Sequence, residues 1–235
     1  MSCLNLLTPP RLVLFDLVGT LLEPAAPVGA TYAASAARHG IQVDPKIVAS
    51  QFRQALLRYR YRPQATVPSD GEDRLFWGEI IRESLAPALD SGPGRERQHE
   101  IVEELYAHYG RGAAWRLYPE TRSVLADLRG LRLRLGILSN WDRRARRVLA
   151  DLGLIEFFSA IFLSAELGAA KPDPRLYHLV SDRLGCPTAA LLLVGDDPEK
   201  DGTAPRACGY ASWLVRRPEG DLQRLPLLLA KATHG

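Results

Sequence analysis

Cysteine is scarce in this chain. Cys3, Cys186 and Cys208 are far apart, odd in number, and lack the paired spacing of a zinc or dithiol motif. A disulfide framework and a thiolate metal site are therefore excluded, and reduced thiols in a cytoplasmic protein are the expectation. Lysine is scarce as well: 4 Lys stand beside 26 Arg, so a lysine draws notice where an arginine does not. Excess charge of one sign is absent. Thirty basic and 27 acidic residues are interspersed and leave a net charge of +3, which argues against a basic nucleic-acid-binding face. Long apolar runs are absent too. Leu191 to Val194 and Leu225 to Ala230 are far short of the roughly 20 residues that span a bilayer. Met1 to Pro10 lacks the charged and apolar regions of a signal peptide. The five histidines, His39, His99, His108, His178 and His234, share no metal-ligand spacing. Neither nucleic acid nor membrane is an expected partner, and the oligomeric state stays open.

What is present is an alternation of elements. Leu12 to Phe15 is a continuous apolar run of strand length, closed by Asp16 and a Gly19-Thr20 turn. Such a run fits a strand buried on both faces of a parallel sheet. Further strand candidates are Leu131 to Leu138, Ala160 to Leu163, Leu191 to Val194 and Ala211 to Val215. Helical spacing separates them at Thr121 to Leu128, Arg144 to Leu152, Leu176 to Leu184 and Gly202 to Cys208. Strand alternating with helix implies a parallel α/β sheet with right-handed crossovers. From Glu23 to about Leu117 no strand is evident. Tyr32 to His39, Lys46 to Tyr59, Arg74 to Leu85 and Gln98 to Tyr109 read as helices, with breaks at Pro63 to Gly71 and Pro87 to Gly94. Asp44-Pro45 fits a helix start, with Asp as N-cap and Pro at the first position. A helical block thus interrupts an α/β domain directly after its first strand.

Polar residues gather where the strands end. Asp16, the pair Ser139-Asn140, and Asp196 with Asp197 and Asp201 each follow a strand candidate, and Lys171 stands in Ala169-Ala170-Lys171-Pro172-Asp173-Pro174. In open α/β sheets ligands bind outside the carboxyl ends of the strands. Several carboxylates brought there would repel one another without a cation, and oxygen ligands with no paired histidine suit Mg²⁺. The set fits phosphoryl transfer. A carboxylate such as Asp16 can attack phosphorus, Mg²⁺ between Asp16 and Asp196 would neutralise charge, and Lys171 with the Ser139 hydroxyl would hold phosphoryl oxygens. Taken alone, Asp16 has a turn cap as its second reading, and Asp197 reads equally as a helper or a helix N-cap. The Arg143-Arg144 and Arg146-Arg147 pairs read as a solvated helix face.

In this order the residues resemble the haloacid dehalogenase-like hydrolase superfamily, in its helical-cap branch. Asp16-Leu17-Val18-Gly19-Thr20 matches the family's first motif, Ser139 the second, Lys171-Pro172 the third, and Gly195-Asp196 with Asp201 the fourth. The resemblance covers the whole chain. It implies a Rossmann-like core of residues 1–21 and 118–235 and a helical cap of 22–117. It implies Asp16 as nucleophile, with Lys171 and Ser139 beside it. It implies phosphate contacts from Gly19, Thr20, Ser139, Asn140 and Lys171. Mg²⁺ would be held by Asp16, the Val18 main-chain carbonyl, Asp196 and Asp201, and the substrate would be a small phosphorylated molecule.

The chain departs from the pattern at Val18. Phosphatases of this family carry there the acid that protonates the leaving group, and valine transfers no proton. General acid–base catalysis is worth about 10² to 10⁴-fold, or roughly 3 to 5 kcal/mol of barrier. Two other readings follow: a phospho-ligand or protein-binding module that keeps the pocket, and a 2-haloacid dehalogenase, whose halide needs no acid. Dehalogenases of the family do without a metal, and Asp196 argues against that branch. Lys46 is the one lysine in the insert and reads as exposed, so a phosphonatase-type Schiff base is not expected.

Overall fold

A computed structural model of the chain describes residues 9–59, 70–90, 93–217 and 221–233. Cys3 and His234 lie outside the described residues. The chain divides into two compact units, one made of Met1–Glu23 with Leu117–Gly235 and the other of Pro24–Arg116.

The first unit is built on five parallel strands: β1 (Leu12–Phe15), β4 (Arg134–Ser139), β5 (Ala160–Leu163), β6 (Leu191–Gly195) and β7 (Ala211–Leu214). Their order across the sheet is β5-β4-β1-β6-β7. The first strand of the chain is therefore the central one, with Phe15 in register with Ile137 on one side and Val194 on the other. Every residue of β1 and β6 is buried, as expected for strands covered on both faces. Helices α5 (Thr121–Gly130), α6 (Arg144–Asp151), α7 (Ser164–Leu167), α8 (Pro174–Leu184), α9 (Ala204–Ala207) and α10 (Leu225–Thr233) run between or after the strands. Leu176, Tyr177 and Val180 of α8 pack with Leu12, Leu14, Leu191 and Leu193 in one apolar cluster.

The second unit is helical: α1 (Val28–Arg38), α2 (Pro45–Arg58), α3 (Asp70–Leu89) and α4 (Pro93–Tyr109). Tyr32, Ala36, Val48, Ile81, Leu85, Ile101 and Leu105 share its core. The Asp44 carboxylate accepts from the Lys46 N–H at 2.7 Å, with Pro45 at the first helical position, so α2 starts where the sequence places its cap.

Four local expectations are revised. The strand expected from Leu131 begins only at Arg134, because Leu131 to Leu133 close α5. Arg132 adopts φ +60°, its N–H donates to Arg129 O and the Leu133 N–H to Leu128 O. This is a Schellman ending with arginine at the left-handed position. Pro87 does not end its helix; it lies inside the last turn of α3, where only one i→i−4 bond is lost. The expected helix from Gly202 is split into a π-helical turn over Pro198–Thr203 followed by α9. Finally, β2 (Leu22–Pro24) and β3 (Trp115–Leu117) pair as a two-stranded sheet at the edges of the stretch that reads as purely helical.

Candidate active site

The carboxyl edge of the sheet collects the polar residues. Asp16 follows β1 and continues its ladder, its N–H bonding Val194 O at 2.9 Å. Ser139 ends the adjacent β4 and is buried. Asp196 follows β6 on the other side, and the π-helical turn carries Asp201 back beneath the same edge. Lys171 enters from the loop before α8. Its ammonium donates to Asp16 Oδ1 at 2.9 Å and to Asp201 Oδ1 at 2.6 Å. The other Asp201 oxygen accepts from the Asp197 N–H at 3.1 Å. The Thr20 hydroxyl donates to Asp196 Oδ1 at 2.9 Å. Residues 155 and 176 positions apart in the chain thus meet as one network.

Two glycines make room for it. At Gly19, where φ is +87°, an added Cβ would overlap the Asp196 carboxylate, and at Gly195 one would overlap Asp201. Each acid packs directly against backbone, so only glycine fits.

The electrostatics follow from burial. Desolvation works to lower the Lys171 pKa, but the charges of Asp16 and Asp201 outweigh it and hold the ammonium above the usual lysine range. Desolvation, with the Asp16 charge added, raises Asp196 and pushes Asp201 up to about 6 despite Lys171. Three clustered carboxylates have one ammonium among them, paired to Asp16 and Asp201, so their fully ionised form is under-compensated. Asp16, Asp196 and Asp201 each offer an oxygen, all within 4.8 Å of one another. An all-oxygen set with unmet negative charge fits a hard divalent cation such as Mg²⁺.

Asn140 engages protein rather than open space. Its amide donates to Lys171 O at 2.8 Å and its carbonyl oxygen accepts from the Lys171 N–H at 2.8 Å. Asn140 thereby fixes the backbone from which the Lys171 ammonium is aimed. Asp197 resolves as a helix cap, accepting from the N–H groups of Glu199 and Lys200. Asp142 is buried and grips Arg144 through its N–H and guanidinium, so this arginine is not part of a freely solvated face. Val18 is 40% exposed beside the network. Sequence reasoning missed Arg217, Glu120, Tyr118 and Thr121, which gather behind the Gly19-Thr20 turn. In a chain with 26 arginines, Arg217 carries no signal of its own.

A central parallel strand ending in a carboxylate, with two further acids after the neighbouring strand β6 and a lysine from the loop before α8, defines a class of α/β hydrolase cores. Residues 10–209 match the model of the haloacid dehalogenase-like hydrolases, and the chain belongs to that family. It is 32% identical over 217 residues to haloacid dehalogenase-like hydrolase domain-containing protein 3 of Homo sapiens, covering 89% of this chain and 83% of that one. It is 35% identical over 148 residues to the phosphoserine phosphatase of Thermus thermophilus, covering 61% of this chain and 57% of that one. Its fold matches a solved L-2-haloacid dehalogenase with a TM-score of 0.70 at 21% identity, covering 95% and 100% of the two chains. Among the described residues no helix is long and apolar enough to cross a membrane.

Proposed function

We propose that the chain is a Mg²⁺-dependent, phosphatase-like hydrolase of a small phosphorylated molecule. The observation that carries this reading is the cluster of Asp16, Asp196 and Asp201, with the Lys171 ammonium paired to Asp16 and Asp201. The phosphoserine phosphatase relative supports the same direction. Lys171 holds Asp16 Oδ1, and Oδ2 is the oxygen that attacks phosphorus. The new O–P bond forms as the leaving group departs, and water then cleaves the aspartyl-phosphate. Mg²⁺, when bound by Asp16, the Val18 carbonyl, Asp196 and Asp201, would neutralise the transferring oxygens. Asp201 holds Lys171 in line, and Ser139 with Lys171 binds the phosphoryl group. Gly19 and Thr20 keep the turn close to it, and Asn140 acts through the Lys171 backbone. The helical unit chooses the substrate, and the site of action is the cytoplasm.

Val18 sets the substrate preference. With no acid to protonate the departing oxygen, a leaving group of low pKa, such as the carboxylate of an acyl phosphate, turns over best. Phosphate release is to be measured with Mg²⁺ from acyl, aryl and sugar phosphates, using wild type, Asp16→Asn and Val18→Asp. Asp16→Asn should be silent, and Val18→Asp should gain about 10² to 10⁴-fold on sugar phosphates while changing acyl phosphates little. The exposed Val18 also favours a second reading, a phospho-ligand-binding module, which a silent wild type beside an active Val18→Asp would establish. Halide release from 2-haloacids that persists without Mg²⁺ would move the chain to the dehalogenases instead.

A further inference from the structure

The turn that carries Gly19 and Thr20 is held from behind. Three successive carbonyls, the last two of the first motif and the one after it, each find a donor. Gly19 O accepts from Arg217 Nε at 3.4 Å, and Thr20 O from the terminal nitrogen of the same guanidinium. Leu21 O accepts from the Tyr118 N–H at 3.2 Å and from the Thr121 hydroxyl at 2.7 Å. Arg217 follows β7, nearly 200 residues after the turn it grips. Its charge is met by the Glu120 carboxylate, and both side chains are largely buried, 16% and 5% exposed. The guanidinium carbon lies 3.5 Å from the centre of the Tyr118 ring. A buried, stacked and paired arginine has one geometry open to it.

We propose that Arg217 is a positioning residue for the metal site. By fixing the Gly19 and Thr20 carbonyls it sets the rotation of the turn. That rotation aims the Thr20 hydroxyl at Asp196 Oδ1 and holds this carboxylate ready for the cation. The proposal rests on the Mg²⁺ site described above. It makes Glu120 and Tyr118 the supports of Arg217 and assigns none of the three to contact with substrate. Groups that orient a metal ligand from behind usually cost 10 to 100-fold in metal affinity when removed.

The test reads metal binding rather than turnover. Unfolding midpoints are followed while Mg²⁺ alone is titrated into wild type, Thr20→Val, the double variant Glu120→Gln with Arg217→Gln, and all three changes combined. Asp196→Asn is the control for the site itself. The double variant removes both charges together, so no carboxylate is stranded in the interior and the net charge near Asp196 is unchanged. The Mg²⁺ dissociation constant should rise about 10-fold in the double variant and by a similar factor in Thr20→Val. Combining them should add nothing, because both act through one turn. Arg217→Gln alone separates charge from position: removing a cation near the acids would tighten Mg²⁺ if charge were its only role. A double variant that binds Mg²⁺ as wild type does, a combination whose losses multiply, or tighter binding by Arg217→Gln overturns the positioning role. A wild type with no Mg²⁺ response, or Asp196→Asn that keeps one, overturns the metal site and the proposal with it.

Discussion

The protons on Asp196 and Asp201 make the site's charge imbalance measurable. Burial raises both carboxyl pKa values, Asp201 to about 6. The folded chain therefore retains protons that the unfolded chain, with its carboxyls near 4, has released. For a raised carboxyl the stability contribution is complete below about pH 4 and is lost as pH climbs to about 6. A cation that takes over the compensation removes that loss. Mg²⁺ should accordingly raise the unfolding midpoint more at pH 7.5 than at pH 5, and its binding should release protons between those values. Equal stabilisation at both pH values would mean that Asp201 and Asp196 are not near the bound ion. The acids themselves were legible from the sequence because each follows an apolar run of strand length. Arg217 was not, since Arg216-Arg217 looks like any other basic pair in this chain and its partners Glu120, Gly19 and Thr20 are remote in sequence.

Among the elements, short and irregular pieces escape a reading by periodicity, and well-capped ones do not. Asp44-Pro45 and Asp173-Pro174 each put a capping carboxylate before a proline, and both open helices, with Asp173 accepting from the Arg175 N–H at 2.9 Å. The three-residue strands β2 and β3 are too short to show an alternation at all. Leu131 and Leu133 misled for a different reason. They alternate with arginines as strand residues would, yet hydrogen bonds from Leu131, Arg132 and Leu133 back into α5 complete a helix end. Glycine is the residue that reveals such an ending, and here it stands two positions early, at Gly130. Arg132→Gly should therefore stabilise the protein, because the left-handed conformation costs an L-residue about 1 kcal/mol that glycine does not incur. Chemical denaturation would show the midpoint moving up with unchanged slope, and a lower midpoint would mean that the Arg132 side chain has a role of its own.

At the level of the whole molecule, the two units have separate apolar cores. Leu105 is buried in the helical core and has no part in the carboxylate network. Leu105→Ala should cost about 2 to 5 kcal/mol through the cavity it leaves, read from denaturant unfolding. The Mg²⁺ affinity of the folded fraction should stay that of wild type. A loss of metal affinity would show that the metal site depends on the helical core. The division into an α/β sheet and a helical insert was visible in the alternation of patterns. Strand order was not, because nothing in Leu12 to Phe15 states that its neighbours are β4 and β6.

That order governs how the molecule is made. On the ribosome β1 emerges 122 residues before one neighbour and 179 before the other, so the strand that becomes the centre of the sheet has both edges unpaired until β4 arrives. The helices α1 to α4 of the insert are released in the interval and can pack through local contacts alone. Asp16 therefore stays apart from Asp196 and Asp201 until Leu191 and the residues after it have been translated, and a nascent chain halted before Leu191 carries Asp16 without either of them.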